Sequence, residues 1–227
     1  MKTDATDFIL SGLALSMLVL GALGITLGLV APFSAHWLGR YGVIADVLAF
    51  LLCFGLLASL FTRLLILIRP IQAGRYSMDE GLFTYWKLLT VLYEFGRGAL
   101  LPFTTVFARP LVAALFGAKV GRNTALGGRI ADPSLVHVGE GAVLGHNSVL
   151  TPHAITSGSI ILQEVRIGRG ATVGVNVVVN AGVEIGDGSV VAAGSVLAPF
   201  TKVPPGELWG GTPARKIKDM EPSDVRS

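Results

Sequence analysis

A histidine can take a proton from a hydroxyl or amine and give it back near neutral pH, because its ordinary pKa is about 6.5. The chain carries four: His36, His137, His146 and His153. His36 falls in an apolar N-terminal third and is set aside. His137 falls on the sixth position of its hexad, His146 sits in Gly145-His146-Asn147 and His153 in Thr151-Pro152-His153, so each is a candidate general base. The plain alternative for each is a surface residue at a turn. Covalent catalysis has less to work with. The single cysteine, Cys53, lies in an apolar run, and no Gly-x-Ser-x-Gly elbow occurs. One cysteine also excludes a disulfide framework or a cysteine zinc site.

The element that must position these histidines is a repeat of six. Val120, Leu126, Asp132, Val138, Leu144 and Leu150 are spaced by six, as are Ile167, Val173, Val179, Ile185, Val191, Leu197 and Val203. All but Asp132 are aliphatic. The next residue is usually glycine (Gly121, Gly127, Gly139, Gly145, Gly168, Gly174, Gly186), read as a turn former. Small or aliphatic residues recur four places on, at Ala142, Ser148, Ala171, Val177, Ser189 and Ser195. Neither a helix nor an alternating strand has a period of six. A coil of short parallel strands does, with one flat side and one corner per hexad and the aliphatic plugging the interior.

The register breaks once. Leu150 to Ile167 is seventeen residues, one short of three hexads. A solenoid tolerates such an excursion where it leaves the stack, often on a binding face. His153 lies in that stretch.

The first third has a different character. The 227 residues are 52% hydrophobic and 15% charged, too apolar for an ordinary soluble domain. Phe8 to Phe33 holds no charge, and Val43 to Ile68 holds only Asp46 and Arg63. Each run can cross a hydrocarbon core of about 30 Å. A charge at mid-bilayer costs about 2.5–3.5 kcal/mol, but these two lie toward the ends of their run. Pro32 and Gly39-Arg40-Tyr41-Gly42 are read as the turn of a transmembrane hairpin. A cleaved signal peptide would need a positive leader and a shorter core. Arg63, Arg69, Arg75 and Lys87 follow the second run, whereas only Arg40 occupies the turn. That bias places both termini and the large C-terminal part in the cytoplasm, at a bacterial-type inner membrane. Residues 76–116, with Trp86, Tyr85 and Tyr93 and interruptions at Gly96, Gly98, Pro102 and Pro110, are expected to lie along the interface; a third, broken span is the rival. The formal charge of +3, without interleaved aromatic and basic residues, argues against nucleic acid.

Leu115-Phe116-Gly117-Ala118-Lys119-Val120-Gly121-Arg122-Asn123 opens the repeat, and Trp209-Gly210-Gly211-Thr212-Pro213-Ala214-Arg215-Lys216-Ile217 closes it. With the hexads, these resemble the hexapeptide-repeat acyltransferases over roughly residues 115–218. The membrane part, with its aromatic segment running into that opening, looks like membrane-embedded members such as the C-terminal region of polylysine-synthase-type enzymes. The resemblance implies a left-handed parallel β-helix, a homotrimer with sites in clefts between coils, and an acyl donor that is a coenzyme A thioester or acyl carrier protein. The acceptor would be a hydroxyl or amine, with a histidine as base. Thr151-Pro152-His153 before Val165-Arg166-Ile167-Gly168 looks like the family's catalytic stretch, with Pro152 inserted. Asn176 and Asn180 would bond the acyl carbonyl or pantetheine amides, or form a stacked corner ladder. Gly194, Lys202, Trp209 and Arg215 would face the adenine and phosphates, with Trp209 alternatively a cap. No metal is implied.

The expected organisation is therefore a transmembrane hairpin (1–75), interfacial connecting helices (76–116), a left-handed parallel β-helix (117–218) and a polar tail (219–227). The expected function is a membrane-anchored acyltransferase acting on a membrane-associated acceptor among membrane lipids. Two alternatives stand beside it. One is a non-catalytic trimeric scaffold. The other is a metal-dependent protein like the gamma-type carbonic anhydrases, although His137, His146 and His153 lack that family's close histidine pair.

Overall fold

A computed structural model describes residues 3–220. Lys2, counted in the leader, and residues 221–227 of the expected tail lie outside the described residues. The chain divides into a helical unit, Met1–Pro70 with Gly81–Thr104, and a β unit, Ile71–Glu80 with Thr105–Ser227.

In the helical unit, α1 (Ala5–Ile25) starts where the Asp7 carboxylate accepts the Asp4 N–H at 2.9 Å. A π-turn at Thr26–Val30 leads into α2 (Ala31–Leu38). Pro32, expected to help turn the chain, instead sits in the first turn of α2. The turn before it, Thr26–Val30, is π-helical, and with this local widening the chain stays helical through the proline instead of reversing. The reversal comes at Gly39–Tyr41, where Gly39 has φ +52°. α3 (Gly42–Ile68) follows, and Ser34 Oγ donates to Asp46 Oδ1 at 2.6 Å to tie it to α2.

α4 (Gly81–Leu100) buries Phe83, Trp86, Leu89, Leu92 and Tyr93. Tyr85 Oη donates to the Arg69 carbonyl at 2.9 Å, and a Cβ on Gly55 would come within 2.5 Å of Leu100 Cγ. α4 thus runs antiparallel along much of α3, and its Lys87 pairs with Asp7 of α1. α4 is one continuous helix, not one broken at its glycines. Gly96 and Gly98 fall inside α4, and a Cβ on Gly55 would stand 3.1 Å from the Gly96 carbonyl. Small residues here admit close helix approach. By length and composition the helical stretch Ala5–Ile68 is apolar enough to cross a membrane, and 22% of its most apolar window is buried.

In the β unit, β1 (Gly74–Ser77) is set apart from the coil strands in sequence, and α5 (Arg109–Leu115) leads into them. The first turn of the coil is β2 (Lys119–Val120), β3 (Ala125–Leu126) and β4 (Arg129–Ile130). The second is β5 (Val136–Val138), β6 (Val143–Leu144) and β7 (Val149–Leu150). β8 (His153–Thr156) and β9 (Ser159–Leu162) interrupt it. Then come β10 (Val165–Ile167), β11 (Thr172–Val173), β12 (Val178–Val179), β13 (Glu184–Ile185), β14 (Val190–Val191), β15 (Val196–Leu197) and β16 (Lys202–Val203). β17 (Glu207–Gly211) and β18 (Ala214–Asp219) close the end as an antiparallel pair. The coil strands stack in parallel into three sheets: β2-β5-β10-β13-β16, β3-β6-β11-β14-β17 and β4-β7-β12-β15.

The interior is the hexad register: Leu144, Leu150, Val173, Val179, Val191 and Leu197 are at most 1% exposed. Ala142, Ser148, Ala171, Val177, Ser189 and Ser195 are also buried. One register position differs. Ile130, not Asp132, faces inward on β4, because Ile130 pairs with Leu150. The hexad glycines also differ in role from the turn formers expected. Gly145 and Gly168 do not have positive φ. A Cβ there would lie 2.6 Å from Val175 N and 2.5 Å from Asp187 N of the next coil, so glycine is required by close rung-to-rung approach.

Candidate active site

The excursion after Leu150 is a small antiparallel sheet, ordered β1-β9-β8. β8 and β9 turn over at Ser157-Gly158, with Gly158 at φ +80°. β1 pairs along the other edge of β9, from Gly74 with Leu162 to Ser77 with Ser159.

His153 opens β8. It stands three residues past Leu150, and Asp132 stands two past Leu150's partner Ile130. Both chains leave the sheet β4-β7-β12-β15 at the same corner, one rung apart, which brings the side chains together. Asp132 holds a left-handed conformation (φ 44°) before Pro133, and its carboxylate pairs with His153 Nδ1. The Asp132 side chain is 6% exposed and that of His153 24%. A carboxylate has no proton to donate, so Nδ1 carries the proton and, in neutral imidazole, the lone pair is on Nε2. Asp132 is the functional candidate that the sequence reading did not single out as such. Its signal was present: it was the one non-aliphatic residue in the register.

His146 lies on another corner, exposed, and its carbonyl accepts the Asn176 N–H at 3.0 Å. His137 lies on the outer face of β5, its Nε2 4.0 Å from Glu164 Oε1. Burial first, then the neighbouring Lys119, pushes the His137 imidazole below its ordinary pKa. An open pocket of about 490 Å³ there is lined by Lys119, His137 and Arg166. The three histidines are not brought together as a set, and among the described residues no cluster of three or more His, Cys, Asp or Glu side chains is placed to hold a metal.

The five residues expected to bind the donor occupy three places. Asn147, Asn176 and Gly194 share a positive φ of 56–71° and stack at one corner on successive rungs. Asn tolerates the left-handed region better than most residues, and this explains Asn176 in backbone terms. Asn180 serves the coil too, donating from Nδ2 to the Leu197 carbonyl at 2.7 Å. Trp209 packs against the core at the terminal pair, its Nε1 donating to Glu207 Oε2 at 2.7 Å. Arg215 lies on the adjoining strand, paired with Gly210. Lys202 is on a different sheet, 3.4 Å from Glu184.

The family model "Bacterial transferase hexapeptide (six repeats)" matches residues 164–199. Among solved structures, a galactoside acetyltransferase in complex with coenzyme A superposes with TM-score 0.52 at 21% identity, over 68% of this chain and 90% of that one. A hexapeptide-repeat-containing acetyltransferase from Vibrio cholerae O1 biovar eltor, complexed with acetyl coenzyme A, gives TM-score 0.50 at 18% identity, over 68% and 98%. At these identities the likeness is one of fold. No curated protein matches the chain. Residues 164–199 thus carry the bacterial transferase hexapeptide repeat, and the parallel coil around them shares its fold with these acetyltransferases.

Proposed function

We propose that this protein is a membrane-anchored acyltransferase that moves an acyl group from a coenzyme A or carrier-protein thioester to a hydroxyl or amine of a membrane-associated acceptor. The carrying observation is the Asp132–His153 pair at the corner where the β1-β9-β8 sheet leaves the coil. His153 Nε2 takes the proton as the acceptor oxygen or nitrogen attacks the thioester carbon. The C–S bond breaks, the new C–O or C–N bond forms, and the imidazolium returns its proton to the departing thiolate. Asp132 fixes the ring's tautomer and steadies its transient positive charge. A backbone N–H at a glycine-bearing corner is the simplest donor for the developing oxyanion.

The donor is assigned to the Asn176–Gly194 corner and the closing strands. Arg215 supplies the charge for a phosphate, and Trp209 closes the coil's end. Lys202, held near Glu184, contributes less. His153 and the Asn176–Gly194 corner lie at the two edges of the sheet β4-β7-β12-β15, which supports a site shared between copies. The outward residues support a trimer as well. They are Val149, Val178 and Val196 on that sheet, and Val143, Thr172 and Val190 on the next. The third sheet shows water Lys119, His137, Arg166, Glu184 and Lys202. Val178→Glu should convert the trimer to monomer in light scattering while preserving the β signal in circular dichroism; a variant that stays trimeric puts the interface elsewhere.

The exposed apolar surface of α1 and α3, including Phe8, Leu13, Leu20, Leu60 and Leu67, supports a membrane hairpin. Both segments flanking α4 belong to the β unit, which supports an α4 that does not carry the chain across. The run Arg63, Arg69, Arg75 and Lys87 against Arg40 supports a cytoplasmic β unit, on the side where coenzyme A is found. The test is thiol release by the full chain in detergent, with a panel of acyl-coenzyme A donors and a membrane lipid extract. Release that depends on the extract is expected. No release above background with any donor, carrier-bound donors included, overturns the reading.

A further inference from the structure

A 3-10 turn at Val106–Ala108 and α5 pack on the first turn of the coil and cap its beginning. The cap is fixed to the coil. Ala113 belongs to the coil's core, Phe116 is fully buried, and Arg109 Nη1 donates to the Gly127 carbonyl at 3.0 Å. Its other face is apolar and bare: Phe107 is 92% exposed, Leu111 63% and Val106 58%. The end of a solenoid needs a polar outer face to stay in water. The far end obeys that rule, because β18 exposes Arg215, Lys216, Lys218 and Asp219. The capped end breaks it. The charge beside the bare face has one sign. Residues 105–131 carry Arg109, Lys119, Arg122 and Arg129 and no Asp or Glu, and Lys119 and Arg122 are exposed on the first turn.

We propose that this end of the coil docks on an anionic lipid bilayer. Val106, Phe107 and Leu111 enter the headgroup boundary, and Lys119 and Arg122 face the lipid phosphates. The apolar stretch Val106–Leu115 is too short to cross a bilayer, so it lies at the surface. Apolar side chains flanked by basic ones are the two signals that together hold a protein on an anionic membrane. The same charges oppose a second copy stacked end to end, where like would meet like. Five residues separate α4 from Val106, so a bilayer around the helical unit is within the chain's reach of the cap. Asp132 leaves the coil from its first turn and His153 from its second, which keeps the pair about 5–10 Å from the docked end. A membrane-associated acceptor presents its hydroxyl or amine near that level. The inference rests on reading the helical unit as membrane-embedded, and it does not require that acyl transfer occur.

The test places a fluorescent thiol label at each end of the coil. In a Cys53→Ala background, Phe107→Cys and Ile217→Cys each offer one thiol at an exposed side chain, Ile217 being 60% exposed on the closing strand. The full chain is reconstituted into vesicles of phosphatidylcholine, alone or mixed with phosphatidylglycerol. Some of the lipid carries a nitroxide quencher just below the headgroup. The label at 107 should be quenched, and more strongly with phosphatidylglycerol, while the label at 217 stays bright. Fluorescence lifetimes separate docked from undocked populations. In the mixed vesicles Lys119→Gln should lower their ratio about fivefold, near 1 kcal/mol, and the melting temperature should hold. A label at 107 that is unquenched, quenched no more than 217, or indifferent to phosphatidylglycerol would overturn the proposal. So would cross-links between copies through position 107 in place of quenching. Quenching at 107 where thiol release fails leaves the docked end standing and removes the acyltransfer reading; release without quenching removes the docking alone.

Discussion

His153→Ala should lower turnover by about 10²–10⁴-fold, the range that general acid–base catalysis contributes, while KM for the acyl donor and trimer formation stay near those of the parent. The imidazole acts on the acceptor's proton in the transition state, so its loss falls on kcat. Asp132→Asn is the companion. It keeps shape and burial but can place an N–H against Nδ1, leaving the ring in the wrong tautomer. Turnover should fall in the same direction, and the double variant should be no worse than His153→Ala, because both act through one ring. His146→Ala, on a corner apart from this pair, should behave like the parent. Should His146→Ala abolish activity while His153→Ala keeps it, the base is His146; should both stay active, the proton acceptor is not a histidine.

The coil was readable from the sequence because a period of six has few physical realisations and each interior aliphatic is set by it. The same regularity hid one residue. Asp132 was counted as an inward position, but the chain shortens its third side, Ile130 fills the interior, and Asp132 is freed to turn toward His153. Only pairing across rungs shows that, and a single chain read linearly does not contain it. The register break after Leu150 marks only an excursion, although apolar Ile155 and Ile160–Leu162 around Thr156-Ser157-Gly158-Ser159 carry the signature of a hairpin. Its third strand, β1, comes from residues 74–77, a long-range pairing with no local signal. In the helical unit, apolar runs announced α1 and α3. The aromatic α4 was harder, because Gly96 and Gly98 read as breaks until Gly55 is seen facing Gly96 across the helix contact.

Val173→Asp should abolish the folded coil, and Thr172→Asp should not. Val173 is 0% exposed, stacked between Leu144 and Val191 on the adjacent rungs. Its carbonyl accepts the Gly145 N–H at 2.7 Å, and the next N–H, of Gly174, reaches the Val191 carbonyl at 2.8 Å. Both backbone groups are committed to the ladder, so the strand cannot rotate to bring residue 173 to water without breaking bonds on two rungs. An aspartate there is an unpaired carboxylate in an apolar stack. Burying it charged, or protonating it at neutral pH, costs several kcal/mol against a total stability of about 5–15 kcal/mol. Each rung also rests on its neighbours, so a rung lost at the centre separates the coil into pieces too short to bury their own interiors. Thr172 points outward from the same strand and is half-buried, so a carboxylate there keeps contact with water. Circular dichroism and thermal unfolding in detergent compare the two. Equal melting temperatures would mean that the inward and outward positions of this strand are assigned the wrong way round.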